Sequence, residues 1–422
     1  MRHAQPSRIL FIAIVFLTGL ALPTTHAQQV STSWNGGTGN WSVSTDWTPT
    51  AVPNNGGGTT YSVTISAASS AVSMDVLNDT IDNLTLGAAN ALTVNAGDSL
   101  SLVSGSSSNY GTLTNNGTLN GFVGNQSGAS LINNGTVYGG AGGNAGTITN
   151  NGTIYGGVQG VSPFTGFGGI INNYGTVKGG VLTAGSATNY GTVNGDVSNA
   201  GTGETIINFG TVNGSLSFGG SSSSMNYGTV NGDFLIHNGF PAIGVSTNYG
   251  TVNGTFGASG DLATSTNYGT VKGGLNLGDG STVINNGTII NSGAIIQEGM
   301  FINASGAYFS NSGLYHGTSM DSKITNAGTF VNVSGGVITL FANGLVNSGT
   351  LTNASGASFS TDLESVTNSV GGVLNNSGTF TNNGTITNNG MIINTIWGYA
   401  HQRDGFGWLL RSRDDRQQGH DR

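Results

Sequence analysis

Asp196 and Asp233 are the two side chains best suited by type and spacing to acid–base chemistry, since each follows the same seven residues, Asn-Tyr-Gly-Thr-Val-Asn-Gly. Two carboxyl groups about 5–9.5 Å apart can cleave a glycosidic bond, one as acid and the other as base or nucleophile. The equivalent position in the intervening copy is Ser215, so two repeats separate the pair. At about 4.8 Å per stacked coil that is about 10 Å, outside the working range, and both read as surface acids. Asp75, Asp79 and Asp82 offer the hard oxygens that Ca²⁺ takes, but without the glycine-aspartate nonapeptide spacing of calcium-binding solenoids. His237 and His316 stand apart from any nucleophile and acid in triad order. The Gly-rich run from Gly139 to Gly146 lacks the Lys and following helix of a phosphate loop. Thr-x-Thr pairs that could order water occur at Thr112/Thr114, Thr147/Thr149, Thr350/Thr352, Thr379/Thr381 and Thr385/Thr387, but Asn or Lys breaks the pattern in the central copies. No catalytic, cofactor-binding or metal-ligating set is therefore expected, and no cofactor.

These residues are embedded in a repeat. Nineteen times between Asn109 and Ile392 the chain spells Asn, any residue, Gly, then an apolar or aromatic residue two places after the Gly. The residue just after the Gly is Thr except at Ala294, Leu314 and Met391. Long intervals between these glycines cluster around 18 to 22 residues and short ones are 6. A period near 20 marks a solenoid. Each unit is too short for two helices, and its alternation of outward Thr, inward Val and outward polar residue has the parity of a strand. The expected fold is all-β: a single-stranded parallel β-helix, or β-solenoid, of about 18–22 residues per coil.

Column by column, Gly is expected to provide the positive φ of a corner between short strands. Asn can bond locally there, and stacked copies could form a side-chain ladder. The position after the inward Val reads Lys178, Asn194, Asn213, Asn231, Asn253, Lys272. Two lysines in one column must face water, which turns Val212 and its equivalents inward. An aromatic fills the slot between Asn and Gly at Tyr110, Tyr174, Tyr190, Phe209, Tyr227, Tyr249 and Tyr268. These are expected to stack along one edge, shielding backbone, with a sugar-binding platform as the competing role.

Arg2 and Arg8, the apolar run Ile9 to Leu22 and the small-residue site Thr25-His26-Ala27 read as a secretory signal peptide over 1–27. The apolar run is short for a membrane span and no second candidate follows, so no integral membrane segment is expected in the mature chain. With no Cys, stability must come from stacked coils. Between Ser31 and Gln402 there are three Lys, no Arg and fourteen acids. That balance argues against a nucleic-acid partner. Asn-x-Ser/Thr sequons such as Asn116-Gly117-Thr118 read as by-products of the repeat. Residues 28–65, with Trp34, Trp41 and Trp47, read as a cap over the first coil, and 66–395 as the solenoid. The tail 396–422 holds five Arg and four Asp from His401 onward and reads as a disordered or out-of-frame terminus.

The Trp-rich Gly segment, the strand to Ile65, the segments Asp79 to Leu86 and Ala91 to Leu100, and then the Asn-x-Gly-Thr repeats together resemble secreted autotransporter-type and haemagglutinin-like β-helix proteins of Gram-negative bacteria, over roughly 31–395. The resemblance implies an exported, non-enzymatic structural or adhesive protein of the cell surface or extracellular matrix, with cell-surface glycans or matrix components as partners. A polysaccharide-binding or polysaccharide-degrading β-helix is the alternative. The chain departs from that family at its end, where neither an outer-membrane barrel nor an apolar sorting helix follows.

Overall fold

The computed structural model describes residues 27–402, apart from 68, 143–144, 161–167, 200–202, 238–242, 261, 320–321, 342–343, 363–364 and 396–398. The expected signal peptide up to residue 26 and the tail beyond 402 lie outside the described residues.

The chain winds into a parallel β-solenoid of about 15 turns, with about 1% helix. A typical coil gives one short strand to each of three faces. Ser107–Asn109 lies on the first, Thr112–Asn115 on the second and Thr118–Asn120 on the third. Each pairs in register with the strand one coil on. Parallel sheets are usually covered on both faces and read as continuous apolar runs. Here the coil wraps its own interior, so one side of every sheet meets the core and the other meets water. Strands such as Thr205–Asn208 accordingly alternate, with Ile206 and Asn208 inside. Equivalent asparagines in successive coils are 16 residues apart at the shortest, Asn173 to Asn189, and 23 at Asn150 to Asn173. That range is wider than the expected 18–22, because loops at the corners absorb insertions without disturbing the strands.

Val177, Val193, Val212, Val230, Val252 and Val271 are completely buried. Lys178, Asn194, Asn213, Asn231, Asn253 and Lys272 are exposed, as the two lysines require.

The glycines act differently from the expectation. None of the nineteen repeat glycines has a positive φ; that conformation belongs to others, such as Gly306, Gly335 and Gly371. A Cβ built on Gly175, Gly191, Gly210, Gly228 or Gly250 would instead fall 2.0 Å from the carbonyl oxygen of the repeat glycine one coil earlier. Glycine is needed at the corner for this close approach of stacked backbones, and the backbone there bonds directly from coil to coil. The amides of Phe209 and Gly210 both donate to Asn189 O, at 2.7 and 3.0 Å.

At the N-terminal end, Gln28–Trp34 pairs in parallel with Thr59–Ile65 and antiparallel with Trp47–Thr48. Trp34, Trp41 and Trp47 are buried in edge-to-face contacts of 4.9 and 4.7 Å. Thr38–Asn40 continues the second face, so this segment extends the solenoid's layers while closing its end. At the other end Tyr399–Gln402 pairs with Thr379–Asn382 and carries the first face past residue 395. No helix among the described residues is long and apolar enough to cross a membrane.

Candidate functional site

Among the described residues the first Asn of each Asn-x-Gly unit is buried in the core, except Asn388 near the C-terminal end. Thirteen of them, together with Asn303 and Asn368, form one unbroken ladder of fifteen from Asn115 to Asn388 at the corner between the second and third faces. Each Nδ2 donates to the Oδ1 of the next rung at 2.7–2.9 Å. In the regular coils the same nitrogen also approaches two carbonyls; for Asn189 these are Gly191 and Thr211, both at 3.2 Å. A buried amide is tolerable only when its donors and acceptor are used, and stacking identical coils uses them. The exception is the first rung, where Asn115 Oδ1 has no partner because Val94 occupies the equivalent position one coil earlier. A second ladder runs from Asn291 to Asn394 at the corner between the third and first faces, with rungs of 2.7–2.9 Å. The sequence supplied the Asn column; its inward direction depends on the corner geometry.

The acids singled out for chemistry are engaged in holding the fold. Asp196 Oδ1 accepts the Ser215 amide, Ser215 Oγ accepts the Asp233 amide, and Asp233 Oδ1 accepts the Thr255 amide, at 2.7, 3.1 and 2.7 Å. The shared column expected for Asp196, Ser215 and Asp233 exists, and each side chain caps the coil that follows. Asp75 takes the Ser42 amide and hydroxyl at 2.9 and 2.7 Å. Asp82 takes the side-chain amides of Gln29 and Asn55 at 3.2 and 3.1 Å. Asp79 is buried, with Oδ1 on the Thr80 amide at 3.0 Å. Its carboxyl is pushed up from 3.8 to about 6 by burial, moderated by the neighbouring Trp41 indole and the Thr80 amide. The indole N–H and Asp79 Oδ2 still stop short of a formed hydrogen bond. The three aspartates thus go to separate partners, and among the described residues no three His, Cys, Asp or Glu converge on a possible metal position. His237 is exposed on one strand of the first face, and His316 lies several coils away against Phe341, with ring centroids 5.0 Å apart. The Thr-x-Thr pairs divide among faces: Thr112 and Thr147 start strands of the second, Thr350 of the third and Thr379 of the first. They build no single flat array.

Six of the seven aromatics form the expected stack. Tyr174, Tyr190, Phe209, Tyr227, Tyr249 and Tyr268 follow one another with centroids 4.8–5.1 Å apart and planes within 10° of parallel. Tyr110 is not among them. It follows Asn109, which ends a strand of the first face, so it occupies a different corner of the coil. Each inner ring has both faces covered by its neighbours, so the column presents ring edges and hydroxyls to water. A platform of open ring faces for sugar stacking is absent from the middle of this column.

The column after the inward Val faces water as expected, but its contacts from coil to coil were not legible in the sequence. Asn253, Asn231 and Asn213 each donate to the Asn one coil earlier, ending at Asn194, at 2.7–2.8 Å. Tyr138 and Tyr155, each following an inward residue, stack at 4.7 Å. Both contacts lie in that single column, Tyr138 and Tyr155 two and one coils before Lys178. No family model, curated protein or solved structure matches the chain.

Proposed function

We propose that the chain is an exported, non-catalytic β-solenoid with a structural or adhesive role at the cell surface or in the extracellular matrix, like the autotransporter-type proteins it resembles. One observation carries this reading: all the carboxylates nominated for chemistry except the buried Asp79 accept hydrogen bonds from the next coil or the N-terminal segment, as Asp196 does from Ser215 and Asp75 from Ser42. What remains outward is repetitive, in columns of aromatic, Thr and Asn side chains, which suits extended contact better than turnover. The seven-residue run before Asp196 and Asp233 repeats without the cluster of unlike polar groups that bond cleavage requires.

Expression in a Gram-negative host, with fractionation and sequencing of the mature N-terminus, tests export; a depolymerisation screen on the purified chain tests catalysis. The expected result is processing near residue 28, protease accessibility on intact cells and no turnover. Retention of an unprocessed chain in the cytoplasm, or turnover of any polysaccharide, would overturn the reading.

A further inference from the structure

The third face of the six central coils carries three adjoining columns. The aromatic stack forms one rail. Outward Thr176, Thr192, Thr211, Thr229, Thr251 and Thr270 form the middle, paired coil to coil. Lys178, the Asn194 to Asn253 ladder and Lys272 form the other rail. From Tyr174 to Tyr268 the strip is about 25 Å long at its measured ring spacing, and four residues of extended chain make it about 13 Å wide.

Three properties of the strip select an occupant. Its area, about 300 Å², falls well below the roughly 800 Å² per partner of a stable protein interface, so a second copy or another folded protein is a poor fit. Its charge balances, with Lys178 and Lys272 at the ends and Asp196 and Asp233 in the next column, which favours an uncharged ligand. Its repeat is that of the stacked coils, 4.8–5.1 Å. An extended β-1,4-linked glycan advances by nearly the same distance per sugar with each sugar turned over relative to the last, so every second sugar would meet equivalent groups in the same orientation.

We propose that this strip binds one extended strand of an uncharged β-1,4-linked polysaccharide lying along the solenoid axis. Because the inner ring faces are covered, recognition uses the phenolic hydroxyls, the Thr hydroxyls and the outward amides, with ring edges against the sugar C–H groups. Phe209 leaves one gap in the hydroxyl row. The proposal rests on the non-catalytic, adhesive reading above and names the ligand class for it.

Isothermal titration of the mature chain with cellohexaose and chitohexaose tests it, with maltohexaose, whose α-linkages curve the chain, as control. Binding of either β-linked hexamer is expected, tighter than that of its trimer, with maltohexaose silent. Replacing the hydroxyl row by Tyr174→Phe, Tyr190→Phe, Tyr227→Phe, Tyr249→Phe and Tyr268→Phe together retains the stack and should weaken binding about tenfold. Circular dichroism checks that this variant is folded; if it is not, Thr211→Val with Thr229→Val serves instead and should also weaken binding. Failure of both β-linked hexamers to bind, equal binding of maltohexaose, or unchanged affinity in the folded variant would overturn the proposal. Export and absence of turnover are read separately, so a negative titration leaves the broader function standing.

Discussion

Asn208 sits in the middle of the fifteen-rung ladder, taking its Oδ1 bond from Asn189 and giving its Nδ2 to Asn226. Asn208→Ala would leave the buried Asn226 Oδ1 without its donor and take from Asn189 Nδ2 the shortest of its three acceptors, a loss of about 1–3 kcal/mol for the orphaned acceptor with a smaller addition for the weakened donor. We expect a loss of about 3 kcal/mol in urea denaturation followed by far-UV circular dichroism. An outward rung such as Asn213 can turn to water, and Asn213→Ala should cost well under 1 kcal/mol. The two kinds of glycine separate in the same way. Gly210→Ala places a Cβ 2.0 Å from Gly191 O and should cost more than about 3 kcal/mol, since backbone on both sides must move. Gly371→Ala, at φ +84° with open space around it, should cost only about 1–2 kcal/mol. Equal losses in the two variants would contradict the close-approach role.

At the scale of elements, the N-terminal segment is fastened to the first coil by Asp75 and Asp82, with the buried Asp79 next to Trp41. Asp79 titrates at about 6 in the fold against 3.8 for an ordinary aspartate, chiefly through burial. Its contribution is fully present below about pH 4, where the carboxyl is neutral in both folded and unfolded chains, and is lost as pH rises through 6. Allowing for some solvent screening, the segment should be about 2 kcal/mol more stable at pH 4 than at pH 7. Tryptophan emission during urea unfolding checks this, and Asp79→Asn should flatten that part of the dependence. The coil itself was legible in the sequence, because period and parity are local and Lys178 with Lys272 settled which side faced out. The fastening was not. It pairs Ser42 with Asp75 and Gln29 with Asp82 across 33 and 53 residues outside the repeat, so no column displayed the partners. The reason for the repeat glycines was also hidden, since a composition of Asn, Gly and Thr looks alike whether a corner needs positive φ or close stacking.

For the whole molecule, about 15 turns at about 4.8 Å each make a rod about 70 Å long. Small-angle scattering on residues 28–402 should give an elongated particle of at least that maximum dimension, and a compact profile would contradict it. Contacts join mainly consecutive coils, so stability is close to a sum of coil terms and nearest-neighbour terms. A net charge of −8 also sets rods against one another in solution.

The inward ladder has one more consequence, which concerns inheritance. Every interior rung presents the same acceptor behind and the same donor ahead, so a coil does not distinguish its present neighbour from any other regular coil. Near-identical stretches, such as those leading to Asp196 and Asp233, are also sites where a gene can recombine with itself out of register. Gain or loss of a whole turn by that route leaves the amide chain continuous and the core closed. Length can then vary between lineages while the architecture stays the same.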